Sequence, residues 1–199
     1  MQIDDKDVWT NIHPDDLWIY DKLILAKKLG YLAGPAGLPV PTADWYIVRP
    51  ITNLRMMSQG ATKQWLTPGD TDAVPNGYFW CQVFSGDHIS VDYHWGHPAL
   101  TVQGFRNNER LDRFSRWTKV NNIISLPTVL LDIASKYEWI NVEYVGGHAI
   151  EVHARYNDDF SNHSCNTAIP VWKDEEIKQP PDSSWYESPA GDRLGFWVY

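Results

Sequence analysis

The chain has 199 residues, 43% hydrophobic and 21% charged, with a net charge of −8 at pH 7; this supplies a core for one domain or two small lobes and excludes a disordered chain. The acidic balance argues against broad binding to nucleic acid. Two cysteines, no charged-then-apolar leader and no run of about 18 apolar residues predict a soluble protein of the reducing cytoplasm.

The first predicted element is a helix from Pro14 to Gly30. Proline is tolerated in a first helical turn, and Asp15 and Asp16 there complement the positive end of the helix dipole. Two lysines precede Gly30, which provides the stop. The turn-rich segment GPAGLPVP at 34–41 then connects this helix to the first strand.

Short runs of β-branched and aromatic residues predict four strands between residues 45 and 105. Only SGD separates the second from the third, which predicts a hairpin or a strand with a tight break. The four segments are Trp45–Arg49, Tyr78–Phe84, His88–His94 and Leu100–Phe105.

The second half of the chain mixes both element types. Leu126–Glu138 has apolar residues at helical spacing and is predicted as a helix. Trp139–Val145 and Ala149–Ala154 alternate on either side of Gly146–Gly147 and predict a β-hairpin. The final residues GFWVY are expected to form an edge strand. Because no regular strand–helix–strand alternation is present, the sequence predicts an α+β fold.

A local group of basic residues interrupts this acidic chain. At helical spacing it is interpreted first as a solvated, salt-bridged face, and second as a patch for an anionic ligand. The group consists of Arg106, Arg110, Arg113, Arg116 and Lys119.

The predicted hairpin carries a charged cluster. Alternate residues of a strand share a face, so Glu151, His153 and Arg155 project to one side of the second strand. Asn141 and Glu143 likewise share a face of the first strand. An exposed hairpin with a cross-strand ion pair explains this pattern. A metal and polyphosphate site explains it equally, with carboxylates for the metal and arginine for phosphate.

Several segments together resemble the ATP-grasp enzymes. IEVHAR at 150–155 is similar to the family's Glu-x-Asn-x-Arg strand, and Glu143 stands where the family has its first metal-binding acid. YDKLILAKKLGYLAGPAGLPVP resembles the Asp-Lys … Gly-Ile-Pro-Val-Pro segment, and WYIVRP resembles the Val-Val-Lys-Pro strand. RMMSQGA takes the place of the phosphate-covering loop, and CQVFSGDHISVDY resembles the hinge that holds adenine and ribose.

The resemblance implies two lobes that clasp a nucleotide between antiparallel sheets. The expected division is a helical lead-in at 1–41, a small nucleotide-clasping lobe at 42–84 and a larger lobe with the metal-binding hairpin at 85–199. Family members usually carry a further N-terminal domain. The chain is therefore expected to be a minimal form, or one whose substrate site is completed by a homodimer or a partner protein.

Residues that would bind ATP follow from the same resemblance. Lys22 and Arg49 would hold the phosphates, the first as a point charge and the second as a fork. The loop Arg55–Ala61, with Arg55 and Ser58, would close over them and exclude water.

The base and the ribose would lie at the hinge. Backbone groups of Gln82, Val83 and Phe84 would contact the adenine edge, and His88 would lie near the ribose hydroxyls. Cys81 and Gln82 stand where the family has an acidic pair, which leaves the base preference open.

The hairpin would supply the metal ligands and the catalytic cation. Glu143, Glu151 and His153 would bind Mg²⁺ next to the β- and γ-phosphates. His153 replaces the family's asparagine; an imidazole favours Mn²⁺ or Zn²⁺ over Mg²⁺, or makes no metal contact. Arg155, together with Arg49, would stabilise the charge that develops during transfer.

The implied activity is that of an ATP-dependent ligase. A small-molecule or peptide carboxylate attacks the γ-phosphate, and an amine or other nucleophile opens the resulting acyl phosphate. One alternative is a module that keeps the fold and binds a nucleotide or a sugar without turnover. Another is a structural protein of an assembly, in which the Glu143 and Glu151 pair has no role.

Overall fold

The computed structural model describes residues 8–52, 59–107, 110–161, 165–176 and 178–199. Within these ranges the chain forms two antiparallel β-sheets, one of four strands and one of eight, together with short helices. This architecture confirms the predicted α+β class. No helix in the described ranges is both long enough and apolar enough to cross a membrane.

The small sheet has the strand order β1-β4-β2-β3. On β2, Tyr46 and Val48 are buried in a core with Trp80, because alternate residues of a strand share a face. Ile47 and Arg49 project to the opposite face. The strands are β1 (Ala33–Pro35), β2 (Asp44–Pro50), β3 (Thr62–Leu66) and β4 (Tyr78–Gln82).

The large sheet has the order β11-β12-β10-β7-β6-β5-β8-β9. The prediction that the last residues form an edge strand was wrong, since β12 pairs with both β10 and β11. The strands are β5 (His88–His94), β6 (His97–Phe105), β7 (Arg116–Lys119), β8 (Trp139–Val145), β9 (His148–His153), β10 (Thr167–Trp172), β11 (Ser184–Ala190) and β12 (Arg193–Val198).

The connection from β4 to β5 crosses between the sheets. The predicted hairpin between these strands was wrong, because β4 pairs with β1 and β2, whereas β5 pairs with β6 and β8. The crossing packs backbone against backbone on the β8–β9 turn, where the Gly146 N–H donates to Asp87 O at 3.0 Å. A Cβ on Gly86, which has φ +124°, would lie 2.7 Å from the Gly146 Cα. Glycine is therefore required at this crossing.

The predicted helix from Pro14 to Gly30 is two helices. A 3₁₀ helix spans Pro14–Tyr20, and helix α1 spans Lys22–Lys28. Asp21 lies between them in an extended conformation, and its side chain accepts a hydrogen bond from the Ile24 N–H at 2.8 Å. An aspartate in this position caps a new helix instead of continuing the old one.

The second predicted helix is also divided. A 3₁₀ turn at Thr128–Leu130 precedes helix α2 (Leu131–Lys136), and a short helix α3 (Asp158–Ser161) follows β9. The helices at 14–28 and 128–136 pack on one face of β5, β8 and β9, where Leu25 and Ile133 join a core with Val91 and Val142. The strand residues that alternate with this core lie on the opposite face of the sheet and form the candidate site.

The basic residues at 106–119 do not form the predicted helical face. Residues 110–115 are irregular, and Arg116 belongs to β7. Arg113 is buried and donates to Asp174 at 2.6 Å. Arg106 lies at the end of β6 and projects into a cavity between the sheets.

Candidate functional site

Strands β8 and β9 form the predicted hairpin, and their polar faces meet. Asn141 is opposite His153, and Glu143 is opposite Glu151. Glu151 is 3% exposed and His153 is 4% exposed. The alternative of an exposed hairpin with a surface ion pair was therefore wrong, and the site must account for buried charge.

A cavity of about 320 Å³ lies between the two sheets. Its volume is at the lower end of the range of small-molecule sites. Its described lining residues include four cationic side chains and no acidic one. In a chain of net charge −8, this concentration of positive charge favours an anionic ligand. We call this space the large cavity; its cations are Lys22, Arg49, Lys63 and Arg106.

Two of these cations have unused donors. Arg49 is 8% exposed and donates from Nη2 to the Ile150 carbonyl at 2.8 Å, which joins β2 to β9. Arg106 lies with its guanidinium carbon 3.9 Å from the Phe114 ring centre. In the described part of the chain, the buried Nε atoms of both arginines have no hydrogen-bond partner. A buried donor without a partner is costly. Because both arginine side chains line the cavity, an anion there would pair with their charge.

The hinge end of the large cavity is aromatic. Tyr31 and Phe84 both line it, with ring centres 4.7 Å apart, and His148 stacks on Phe84 at 4.3 Å. The Gln82 side chain accepts a hydrogen bond from the Leu32 N–H at 2.8 Å. Because that side chain is already engaged, a planar ligand here would meet the backbone of the hinge and the aromatic rings.

His88 and Arg106 connect the large cavity to Glu143. Arg106 donates from Nη2 to His88 Nδ1 at 3.3 Å, and His88 Nε2 lies 3.0 Å from Glu143 Oε2. Since arginine only donates, Nδ1 accepts and Nε2 carries the proton that is donated to Glu143. Burial raises the pKa of Glu143, but the His88 hydrogen bond and neighbouring positive charge outweigh it and hold that pKa below its usual range. Glu143 is therefore a carboxylate.

Lys22 makes the equivalent connection to Glu151. Its Nζ lies 2.7 Å from Glu151 Oε1, and the two side chains are 5% and 4% exposed. His153 Nε2 lies 3.5 Å from the same carboxylate oxygen. The two opposed glutamates are thus each bonded to a side chain that lines the large cavity.

A second cavity lies beside Glu143. Its volume is about 60 Å³, which is room for about five water molecules. Charged groups of both signs line it, among them Glu143, Arg155 and Arg193, together with the imidazole of His153. We call it the small cavity. It fits the charged end of a substrate and is too small for a whole nucleotide.

The wall of the small cavity is fixed by a buried ion pair. Arg193 donates to both oxygens of Asp159 at 2.9 and 3.1 Å, and Ser188 donates to one of them at 2.8 Å. These contacts tie α3 to the β11–β12 hairpin. Bidentate pairing of this kind holds a carboxylate rigidly, so this wall is preorganised.

Comparison with known proteins places this geometry in a known fold. No family model matches the chain, and no curated protein matches it. A solved structure from Archaeoglobus fulgidus, provisionally assigned to the ATP-grasp superfamily, is similar with a TM-score of 0.52 and 17% identity over 90% of this chain. The chain has an ATP-grasp fold.

Other solved ATP-grasp structures are less similar. An L-amino acid ligase from Bacillus licheniformis has a TM-score of 0.49 at 10% identity and covers 77% of this chain and 46% of its own. A D-alanine–D-alanine ligase from Bacillus anthracis has a TM-score of 0.35 at 16% identity, covering 69% of this chain and 56% of its own. This chain spans 64% of the length of the Archaeoglobus protein.

The predicted nucleotide residues surround the large cavity of this ATP-grasp fold. Lys22, Arg49, Gln82, Val83, Phe84 and His88 all line it. Both ring nitrogens of His88 are already bonded, so a ribose contact would require one of those bonds to break. The predicted residues Arg55 and Ser58 lie outside the described ranges.

The predicted metal ligands lie together, but each has a partner. In the described ranges, no group of three or more His, Cys, Asp or Glu side chains is arranged to hold a metal ion. The donor chemistry nevertheless fits a divalent cation, because two carboxylates face each other and the Lys22 ammonium already occupies the cation position beside one of them. Glu143, Glu151 and His153 therefore remain a predicted metal site.

Sequence reasoning missed two charged residues of the site, Lys63 on β3 and Arg193 on β12. Arg106, directly after β6, was named in the basic group whose second interpretation was a patch for an anionic ligand, but its place in this site was not predicted. Nothing local marks Lys63 or Arg193, since their roles depend on pairing between distant strands.

Proposed function

We propose that this protein is an ATP-dependent ligase that joins a carboxylate to an amine or another nucleophile through an acyl phosphate. The observation that carries the proposal is the large cavity, whose described lining residues include four cations and no acidic side chain. A polyphosphate supplies the charge and the acceptor oxygens that this cavity demands.

The nucleotide would lie across the large cavity. Lys22, Arg49, Lys63 and Arg106 would contact the phosphates. The hinge backbone at Val83 would meet the base, next to the paired rings of Tyr31 and Phe84. Cationic groups around a transferring phosphoryl group stabilise the charge on its oxygens. A divalent cation bound at Glu143 and Glu151 would neutralise phosphate charge.

The acid would enter the small cavity. Arg155, 5% exposed, lines this cavity and would hold the carboxylate or the oxyanion formed when the nucleophile attacks. The cavity volume of about 60 Å³ admits the reacting group and leaves the rest of the substrate outside. A peptide or small-molecule acid presented by its end fits this arrangement.

A second function is supported by one observation. Each predicted metal carboxylate is already bonded, Glu151 to Lys22 and Glu143 to His88. A protein that kept these bonds would bind a nucleotide without turnover. The alternative function is therefore a nucleotide-binding module.

Turnover distinguishes the two functions. We expect ADP release that depends on both an acid and an amine from a panel of amino acids and short peptides, and that is lost in Glu143→Gln and Arg155→Met. The control variant Lys173→Met changes an exposed lysine that is not among the described lining residues of either cavity, and it should retain activity. Nucleotide binding with no ADP release across the panel would support the module.

A further inference from the structure

The two opposed glutamates are linked to the large cavity by two separate paths. Lys22 holds Glu151 at 2.7 Å, and His88, supported by Arg106, holds Glu143 at 3.0 Å. Lys22, His88 and Arg106 all line the large cavity. The same side chains therefore face the proposed phosphates on one side and the carboxylates on the other.

Removing one partner of the Lys22–Glu151 pair costs free energy. Both side chains are about 95% buried, and a buried charge without a counterion is strongly unfavourable. A phosphate that draws Lys22 away leaves Glu151 unpaired. A divalent cation that approaches Glu151 while Lys22 remains is repelled. Exchange of both partners together leaves every charge paired.

The second path, from Arg106 through His88 to Glu143, couples the two sites through hydrogen bonds instead of an ion pair. Arg106 donates to His88 Nδ1 and so directs the His88 Nε2–H toward Glu143. The Arg106 side chain also lines the large cavity, where the proposed anion would lie. A phosphate that attracts Arg106 weakens the bond that orients His88, and with it the hold on Glu143.

We propose that Lys22 and the Arg106–His88 pair are positioning residues that couple nucleotide binding to divalent-cation binding, so that each ligand raises the affinity for the other. The inference rests on the proposed nucleotide site and adds a property of that site. Linkage makes such coupling reciprocal: the factor by which the cation strengthens nucleotide binding equals the factor in the other direction.

The first experiment measures ATP affinity by calorimetry, in EDTA and in excess Mg²⁺, for the wild type and Glu151→Gln. Glutamine has the size of glutamate but does not hold the Lys22 ammonium as an ion pair. We expect Glu151→Gln to bind ATP in EDTA about fivefold more tightly than the wild type, because Lys22 is released to the phosphates. The enhancement by Mg²⁺ should fall from about tenfold or more to less than about threefold.

The reciprocal experiment measures Mn²⁺ binding without nucleotide, by electron paramagnetic resonance. Lys22→Met releases Glu151, so this variant should bind Mn²⁺ alone, whereas the wild type should bind it only with ATP present. Lys28→Met, an exposed lysine on the same helix, is the matched control and should behave as the wild type. If circular dichroism shows that Lys22→Met does not fold, the Glu151→Gln measurement decides the proposal.

The outcomes separate the two proposals. No ATP binding by the wild type in either buffer overturns the proposed nucleotide site. ATP binding with a metal-free affinity of Glu151→Gln equal to or below that of the wild type overturns the coupling and leaves the nucleotide site standing. A folded Lys22→Met that does not bind Mn²⁺ alone also overturns the coupling.

Discussion

The large and the small cavity lie side by side but differ in how their charges are satisfied. The large cavity concentrates cations, two of which keep buried donors without partners in the described ranges. In the small cavity, Arg193 and Asp159 satisfy each other. The large cavity is incomplete without an anion, whereas the Arg193–Asp159 pair is complete without a ligand. The comparison separates a surface built to bind from a wall built to hold its shape.

The largest effect should come from the wall. We expect Arg193→Met to lower the free energy of unfolding by about 4 kcal/mol, because it leaves the Asp159 carboxylate buried and unpaired. Urea unfolding monitored by tryptophan fluorescence measures this. Arg113→Met is the matched control: Arg113 is equally buried, but its partner Asp174 is 59% exposed and stays solvated. An equal loss of unfolding free energy in both variants would contradict a special role for the buried Arg193–Asp159 pair.

Substituting a cation of the large cavity should lower the affinity for ATP. We expect Arg49→Met to weaken ATP binding about 50-fold, since a buried, charge-assisted hydrogen bond contributes about 1.5–3 kcal/mol. Titration with a fluorescent ATP analogue measures the change. The control is Arg116→Met, which removes an exposed arginine that lies over the Phe105 ring. This variant should leave the affinity for ATP unchanged. Unaltered affinity in Arg49→Met would remove this residue from the site.

A smaller effect concerns the pH dependence of stability, through Asp92 on β5. Burial raises the pKa of Asp92 from 3.8 to about 6, although hydrogen bonds from Asn157 and Asn141 oppose this rise. The folded protein therefore holds this proton more tightly than the unfolded chain, so stability falls as pH rises from about 4 to about 6.

Asp92→Asn tests this sign. The variant keeps the accepting oxygen, and we expect it to be more stable than the wild type at pH 7.5, by on the order of 2 kcal/mol, with the difference shrinking toward pH 4. Thermal unfolding across this pH range measures it. Asp72→Asn, at an exposed position, should show no such pH dependence. A difference that grows toward low pH would show the opposite sign.

The sequence predicted the elements whose signals are local. The β8–β9 hairpin follows from strict alternation around two glycines, and β2 follows from a short apolar run. The break at Asp21 was missed because the helix pattern continues through it. β3, β7, β10 and β11 were missed because their short or proline-interrupted runs become strands only by pairing with distant neighbours.

The same division applies to the site. Glu143 and Glu151 could be placed together from alternation and a tight turn. Their bonds to His88 and Lys22 could not, because these partners come from another strand and from a helix. Burial decided between a surface ion pair and a functional cluster, and burial depends on the packing of α1 and β5 against the hairpin.

Binding of ATP to the large cavity is the central claim, and thermal unfolding with and without ATP, in EDTA and in Mg²⁺, tests it most directly. At an ATP concentration 100 times its Kd, we expect stabilisation by about 2.7 kcal/mol, with a larger shift in Mg²⁺ than in EDTA. The shift should be absent with inosine and reduced in Arg49→Met. Equal unfolding temperatures with and without ATP, in both buffers, would contradict the account.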